Sequence, residues 1–162
     1  MKKLKNLLVL MMAVMAVVMV SSCGGDDDNN VDVAPGAAKM VEGSYVSTMN
    51  CEVMKQMFVY ENVSVDIVAK DDATVDIKVG GFGEGGRALA PIEINDVKVT
   101  GENGNYTITS KEFSGTTETG KAYSGVVTGS YTASKLSLEY SLQYGAMPMP
   151  MKNTYEAQKT AE

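Results

Sequence analysis

Leu136-Ser137-Leu138-Glu139-Tyr140-Ser141-Leu142-Gln143-Tyr144 alternates apolar and polar side chains, a period of two and not the 3.6 of a helix. Successive side chains of a strand project to opposite faces, so this stretch turns one apolar face to a core and one polar face to water. Val63-Ser64-Val65-Asp66-Ile67 and Val75-Asp76-Ile77-Lys78-Val79 repeat the pattern. No helix of ordinary length competes from about residue 42 onward. Between the runs stand Asp71-Asp72, residues 80–86, Gly101-Glu102-Asn103-Gly104, residues 115–120, Ser134-Lys135 and Gly145-Ala146. Such clusters tolerate positive φ or bond their own backbone, as tight turns demand.

Counting strands between these turns predicts eight, over about 43–51, 57–69, 74–80, 91–100, 105–113, 121–132, 135–144 and 151–158. The connections are too short for parallel crossovers, which makes an antiparallel up-and-down meander the expected topology. A sheet with one apolar face must pack on another sheet or close on itself. Closure of eight strands gives a barrel whose interior is filled by side chains or holds one small ligand. The expected inward set is Val63, Val65, Ile67, Val75, Ile77, Val79, Ile92, Ile94, Val97, Val99, Tyr106, Ile108, Leu136, Leu138, Tyr140, Leu142 and Tyr144. Ile92 and Ile94 are out of phase with Val97 and Val99, so a β-bulge is expected near Asn95-Asp96.

The N-terminus reads differently. Lys2, Lys3 and Lys5 precede an unbroken apolar run from Leu7 to Val20, 14 residues long. A bilayer-spanning helix needs about 20, whereas a run of roughly 10–14 suits a secretory leader. Val20-Ser21-Ser22-Cys23 resembles the lipobox of bacterial lipoproteins, which implies cleavage before Cys23 and lipid on that cysteine; an ordinary leader ending near a cysteine is the alternative. Gly24-Gly25-Asp26-Asp27-Asp28-Asn29-Asn30 has too few apolar residues to fold and reads as a spacer. An acidic stretch in this place resembles the export tether of lipoproteins displayed on the outer face of the outer membrane, which implies a surface-exposed outer-membrane lipoprotein; the alternative is a plain solvated linker, compatible with either membrane face, the periplasmic one included. The expected organisation is a signal peptide over 1–22, a lipidated acidic tether over 23–40, one β-barrel domain over 41–158 and a tail over 159–162.

The whole chain carries 14 basic and 20 acidic side chains; removing Lys2, Lys3 and Lys5 with the leader leaves 11 basic. That balance argues against nucleic acid, whose phosphates need a basic patch. The sequence has no histidine, which removes the commonest general base and metal ligand and any serine–histidine or cysteine–histidine nucleophile. Cys51 has no second cysteine in the mature chain once Cys23 is lipidated, and no adjacent cation to activate its thiol. Asp66, Asp76, Glu93 and Glu139 fall on polar strand faces. No catalytic residue, cofactor or metal site is expected.

The succession of Gly43-Ser44-Tyr45, Val63 to Ile67, Asp71-Asp72, Phe82, Pro91-Ile92-Glu93-Ile94 with Val97-Lys98-Val99, Gly129 and Met147-Pro148-Met149 resembles the calycin-like β-barrel domain of lipid-anchored Gram-negative proteins. The resemblance spans about 41–158 and implies a lipocalin-related eight-stranded barrel without established enzymatic activity. Gly43-Ser44-Tyr45 stands where lipocalins carry Gly-x-Trp. The arginine that lipocalins carry after the last strand has no counterpart, since the only arginine is Arg87.

Gly81-Phe82-Gly83-Glu84-Gly85-Gly86 matches the spacing G-x-G-x-x-G, but the residues behind it lead into another strand and not a helix, so a loop over the barrel mouth is expected. Met147-Pro148-Met149-Pro150-Met151 spaces three thioethers at two residues, which suits soft copper(I) or, as the resemblance favours, core and pocket packing. Two functions follow: binding of a small apolar ligand, with Tyr45, Met49, Met57, Phe82, Tyr140 and Tyr144 as candidate wall residues, or a solid barrel meeting an envelope protein or glycan through loops 80–90 and 114–120.

Overall fold

The computed structural model describes residues 36–159; the leader, Cys23 and the acidic stretch behind it lie outside the described residues. A short helix, α1 (Ala37–Val41), precedes eight strands: β1 (Gly43–Val53), β2 (Gln56–Ala69), β3 (Thr74–Val79), β4 (Ile92–Glu102), β5 (Asn105–Thr116), β6 (Ala122–Thr132), β7 (Lys135–Tyr144) and β8 (Met151–Gln158). Each strand pairs antiparallel with its neighbours in sequence, and β8 returns to β1 to close the barrel. Closure removes every sheet edge except where two strands diverge. The expected inward residues are all buried.

Bulges keep these faces consistent. Val75 pairs with Val97 and Ile77 with Ile94, so β4 carries one extra residue. The bulge lies at Asp96, whose φ is 57° and whose amide donates to Asp76 Oδ1 at 2.8 Å. It brings Ile92 and Ile94 to the same face as Val97 and Val99, as the phase break in the sequence requires.

One end of the barrel is sealed. The sequence gives no sign of α1, whose first four residues, Ala37 to Met40, fall in the stretch assigned to the tether over 23–40. The helix buries Ala37, Ala38 and Val41 against the barrel. The Ala38 amide donates to the Asp72 carbonyl at 3.0 Å. Glu42 accepts from the Ala69 amide at 3.2 Å and from Lys39 at 3.0 Å, and these two hydrogen bonds hold its carboxyl below the usual carboxylate range. Above α1, Tyr45 donates to the Val41 carbonyl at 2.6 Å and meets Tyr131 edge-on at 6.5 Å. The middle of the barrel is filled by Met49, Tyr140 and Tyr155 together with the aliphatic set.

Gly125 and Gly129 on β6 face inward, where small residues could have left a hollow. They do not. A Cβ on Gly125 would meet the Ser141 carbonyl and the tip of the Phe113 ring, and one on Gly129 would meet the Ser137 carbonyl and Leu138. The glycines let neighbouring backbone and large side chains close over the positions they leave.

Candidate functional site

The open end collects the β1–β2 turn and the loops between β3 and β4, β5 and β6, and β7 and β8. There the packed interior gives way to a solvent-open cleft of about 620 Å³. Cys51 and Val53 of β1, Phe58 and Tyr60 of β2, Tyr144 of β7 and Met151 of β8 supply its strand-borne lining. Met54, Arg87 with Leu89, Lys121, and Ala146 with Met147 supply its rim.

The loop over 80–91 is built to lie across this mouth. Phe82 and Leu89 exchange backbone hydrogen bonds at 3.2 and 2.8 Å, closing a small hairpin whose tip is the 3₁₀ turn Gly85–Arg87. Phe82 anchors the hairpin on Tyr60, with ring centroids 5.1 Å apart. Gly83 has φ 85°, and a Cβ there would lie 2.7 Å from the Arg87 carbonyl, so glycine is what lets the loop fold back. The glycine-rich stretch thus forms a loop over the mouth, and no helix follows it.

Two cations stand on aromatic rings at the rim. The Arg87 guanidinium lies 5.8 Å from the centre of Phe58, and Lys121 Nζ lies 5.5 Å from the centre of Tyr144. Tyr144 is itself fixed, because its hydroxyl accepts from the Ala90 amide at 3.0 Å. Burial pushes the Cys51 thiol up to about 11, so it is a neutral apolar surface at physiological pH and not a nucleophile. Burial also raises Tyr60. No carboxylate lines the cleft, and among the described residues no group of three or more Cys, Asp or Glu side chains could hold a metal ion. The arrangement can exclude water from an apolar body and hold it; it offers no acid–base pair.

Of the six candidate wall residues, Tyr144 lines the cleft. Tyr45 is fully buried at the sealed end, bonded to Val41. Met49 and Tyr140 pack against each other in the interior, with the Tyr140 hydroxyl 3.6 Å from Met49 Sδ. Phe82 stands behind Tyr60 as the loop anchor. Met57 is 61% exposed and faces outward, and its placement has a definite cause. Ser47 pairs with Val63 but Met49 with Tyr60, so β2 holds an extra residue, centred on Asn62 at φ 57°. Extending the phase of Val63, Val65 and Ile67 backward puts Met57 inside; the bulge puts Phe58 and Tyr60 there instead. Asn62, a residue tolerant of positive φ in the middle of a strand, was the available signal.

The three thioethers of 147–151 separate. Met147 and Met151 line the cleft and Met149 is 49% exposed, so the run contributes to the apolar lining and does not gather three sulfurs on one side.

An up-and-down eight-stranded barrel sealed at one end by a helix and open at the other at a solvent-exposed cleft has the calycin architecture. The chain belongs to the family of the calycin-like β-barrel domain, whose profile matches residues 41–158. It is similar in fold to a crystal structure of a "putative outer membrane protein" from Bacteroides fragilis, with TM-score 0.67 and 20% identity over 76% of this chain. The match covers 53% of that chain, so this protein spans about half the neighbour's length. No curated protein matches the sequence.

Proposed function

We propose that the protein is a lipid-anchored module of the cell envelope that binds a small, largely apolar ligand at its barrel mouth without transforming it. The observation that carries this reading is the mouth cleft. Its volume falls within the roughly 300–1,000 Å³ of small-molecule sites, and its strand-borne lining is apolar and aromatic except for Gln56 of β2. The lipobox-like Val20-Ser21-Ser22-Cys23 supports the anchor, and the fold shared with the Bacteroides fragilis protein is consistent with an outer-membrane location. The chain enters the barrel through α1 at the sealed end, opposite the mouth.

Among the described residues every buried core residue lies between Ala37 and Ala157, so the chain without its leader keeps all of them. Native mass spectrometry of that leaderless chain, purified from a Gram-negative envelope, tests the proposal. A stoichiometric small-molecule adduct released on denaturation is expected. A bare mass that persists after incubation with envelope lipid extract would favour the second reading, in which the barrel meets a protein or glycan through loops 80–90 and 114–120. The filled interior below the cleft is what favours that alternative.

A further inference from the structure

The charges at the mouth go further than its shape. Resting on the cleft reading above, we propose that the site takes a free single-chain amphipathic anion, its apolar body against Phe58, Leu89 and Met151 and its charged group at the rim between Arg87 and Lys121. Among the described residues Arg87 and Lys121 are the only charged side chains lining the cleft. In a mature chain with 20 acidic and 11 basic side chains, a patch of lining drawn at random would hold more acids than bases, so the lining of this cleft inverts the sign of the molecule.

Among the described residues neither cation has a carboxylate within 4.0 Å, a state they share with Lys55, Lys98, Lys111, Lys152 and Lys159, whereas Lys39, Lys70, Lys78 and Lys135 are paired. Glu84 and Glu118 share their loops but do not line the cleft. Each cation instead lies near a ring that borders the cleft, Phe58 or Tyr144. An aromatic face holds a cation in place while leaving its N–H groups free for an acceptor. Guanidinium suits a carboxylate or sulfate through two parallel hydrogen bonds, and the ammonium adds a point charge. An uncharged ligand would fill the apolar part and leave both cations unused.

The test uses the leaderless chain and three probes with one tail: dodecanoate, its methyl ester and dodecyltrimethylammonium, each below its micelle concentration, measured by isothermal titration calorimetry. Hydrogen bonds to charged groups contribute about 1.5–3 kcal/mol, so dodecanoate is expected to bind roughly tenfold or more tightly than the ester. The cationic probe is expected to bind weakest. The double variant Arg87→Gln with Lys121→Gln is expected to erase the preference, read as the ratio of dodecanoate to ester affinity in the same variant, and to fold, since both side chains are exposed and outside the core. Equal affinity for all three probes would overturn the anion assignment and leave the apolar cleft standing. No binding by any probe would overturn both. Flotation with phosphatidylglycerol vesicles without dodecanoate binding would overturn the free amphiphile in favour of a membrane surface.

Discussion

Asn153 is the residue least at ease in the barrel. The alternation of β8 turns Met151, Asn153, Tyr155 and Ala157 inward together, so an amide is carried into the interior at 1% exposure. Its Nδ2 donates to the Tyr140 carbonyl at a long 3.4 Å, and its Oδ1 has no hydrogen-bond partner among the described residues. A buried acceptor without a partner costs about 1–3 kcal/mol, and an apolar side chain of the same shape removes that cost. Asn153→Leu is therefore expected to raise stability by about 1 kcal/mol, read as a higher urea midpoint at unchanged slope. An unchanged or lower midpoint would show that the oxygen is satisfied in solution. This residue also marks what could be read at this scale. Its inward direction follows from β8 alternation, whereas Met57 could not be placed without knowing that Asn62 adopts φ 57° and flips the register. One residue's dihedral exchanged the lining set from Met57 to Phe58 and Tyr60.

At the scale of elements, the seam between β4 and β5 is incomplete. The two strands pair only from Val99 with Ile108 to Glu102 with Asn105, so residues 92–98 have β3 on one side and no β5 ladder on the other. Tyr123 of β6 reaches across the opening. Its hydroxyl donates to the Glu93 carbonyl at 2.9 Å and accepts from the Glu93 amide at 3.1 Å. The ring passes over Gly115, where a Cβ would collide with it, so glycine on β5 is what lets β6 clamp β4. Tyr123→Phe keeps the ring and removes both bonds. The expected loss is about 1–2 kcal/mol, with faster amide exchange confined to 92–98; a rise spread evenly over all strands would assign Tyr123 a packing role alone. All eight strands were legible because alternation is a local property. Met54-Lys55 was not marked as a turn, although both residues adopt positive φ as a two-residue hairpin requires. Nothing in their side chains favours that conformation, and strand closure imposes it. α1 escaped notice because five residues are too few to show a period. The cleft was only partly legible, since Arg87, Leu89 and Lys121 lie on loops whose path depends on tertiary anchors such as the Phe82 and Tyr60 contact.

Over the whole molecule, packing of phenols and a thiol into one interior links stability to alkaline pH. All eight tyrosines lie among the described residues. Burial pushes Tyr155 up to about 12 and Cys51 up to about 11, and raises Tyr45 and Tyr140 further still. Each group is neutral when protonated and has a higher pKa folded than unfolded, so the unfolded chain loses these protons first. Their contribution is complete below about pH 9, the ordinary value of the thiol, and drains away as pH rises through 9 to 12. Acidification acts differently, because, of the carboxylates held low, Asp71 and Asp96 are exposed and Glu42 is only half-buried, so all three are screened by solvent. Their stabilisation is present above the ordinary carboxylate range and fades as pH falls through it, a shallow effect. Urea midpoints are accordingly expected to stay level near neutrality and fall steeply above pH 9. Phenolate absorbance at about pH 11 provides the direct check: Tyr45, Tyr140 and Tyr155 should stay protonated in the fold and ionise only when urea unfolds it. Ionisation of every tyrosine in the native state at that pH, with no loss of structure, would mean that water reaches the interior, which would undo the filled barrel on which the mouth cleft rests.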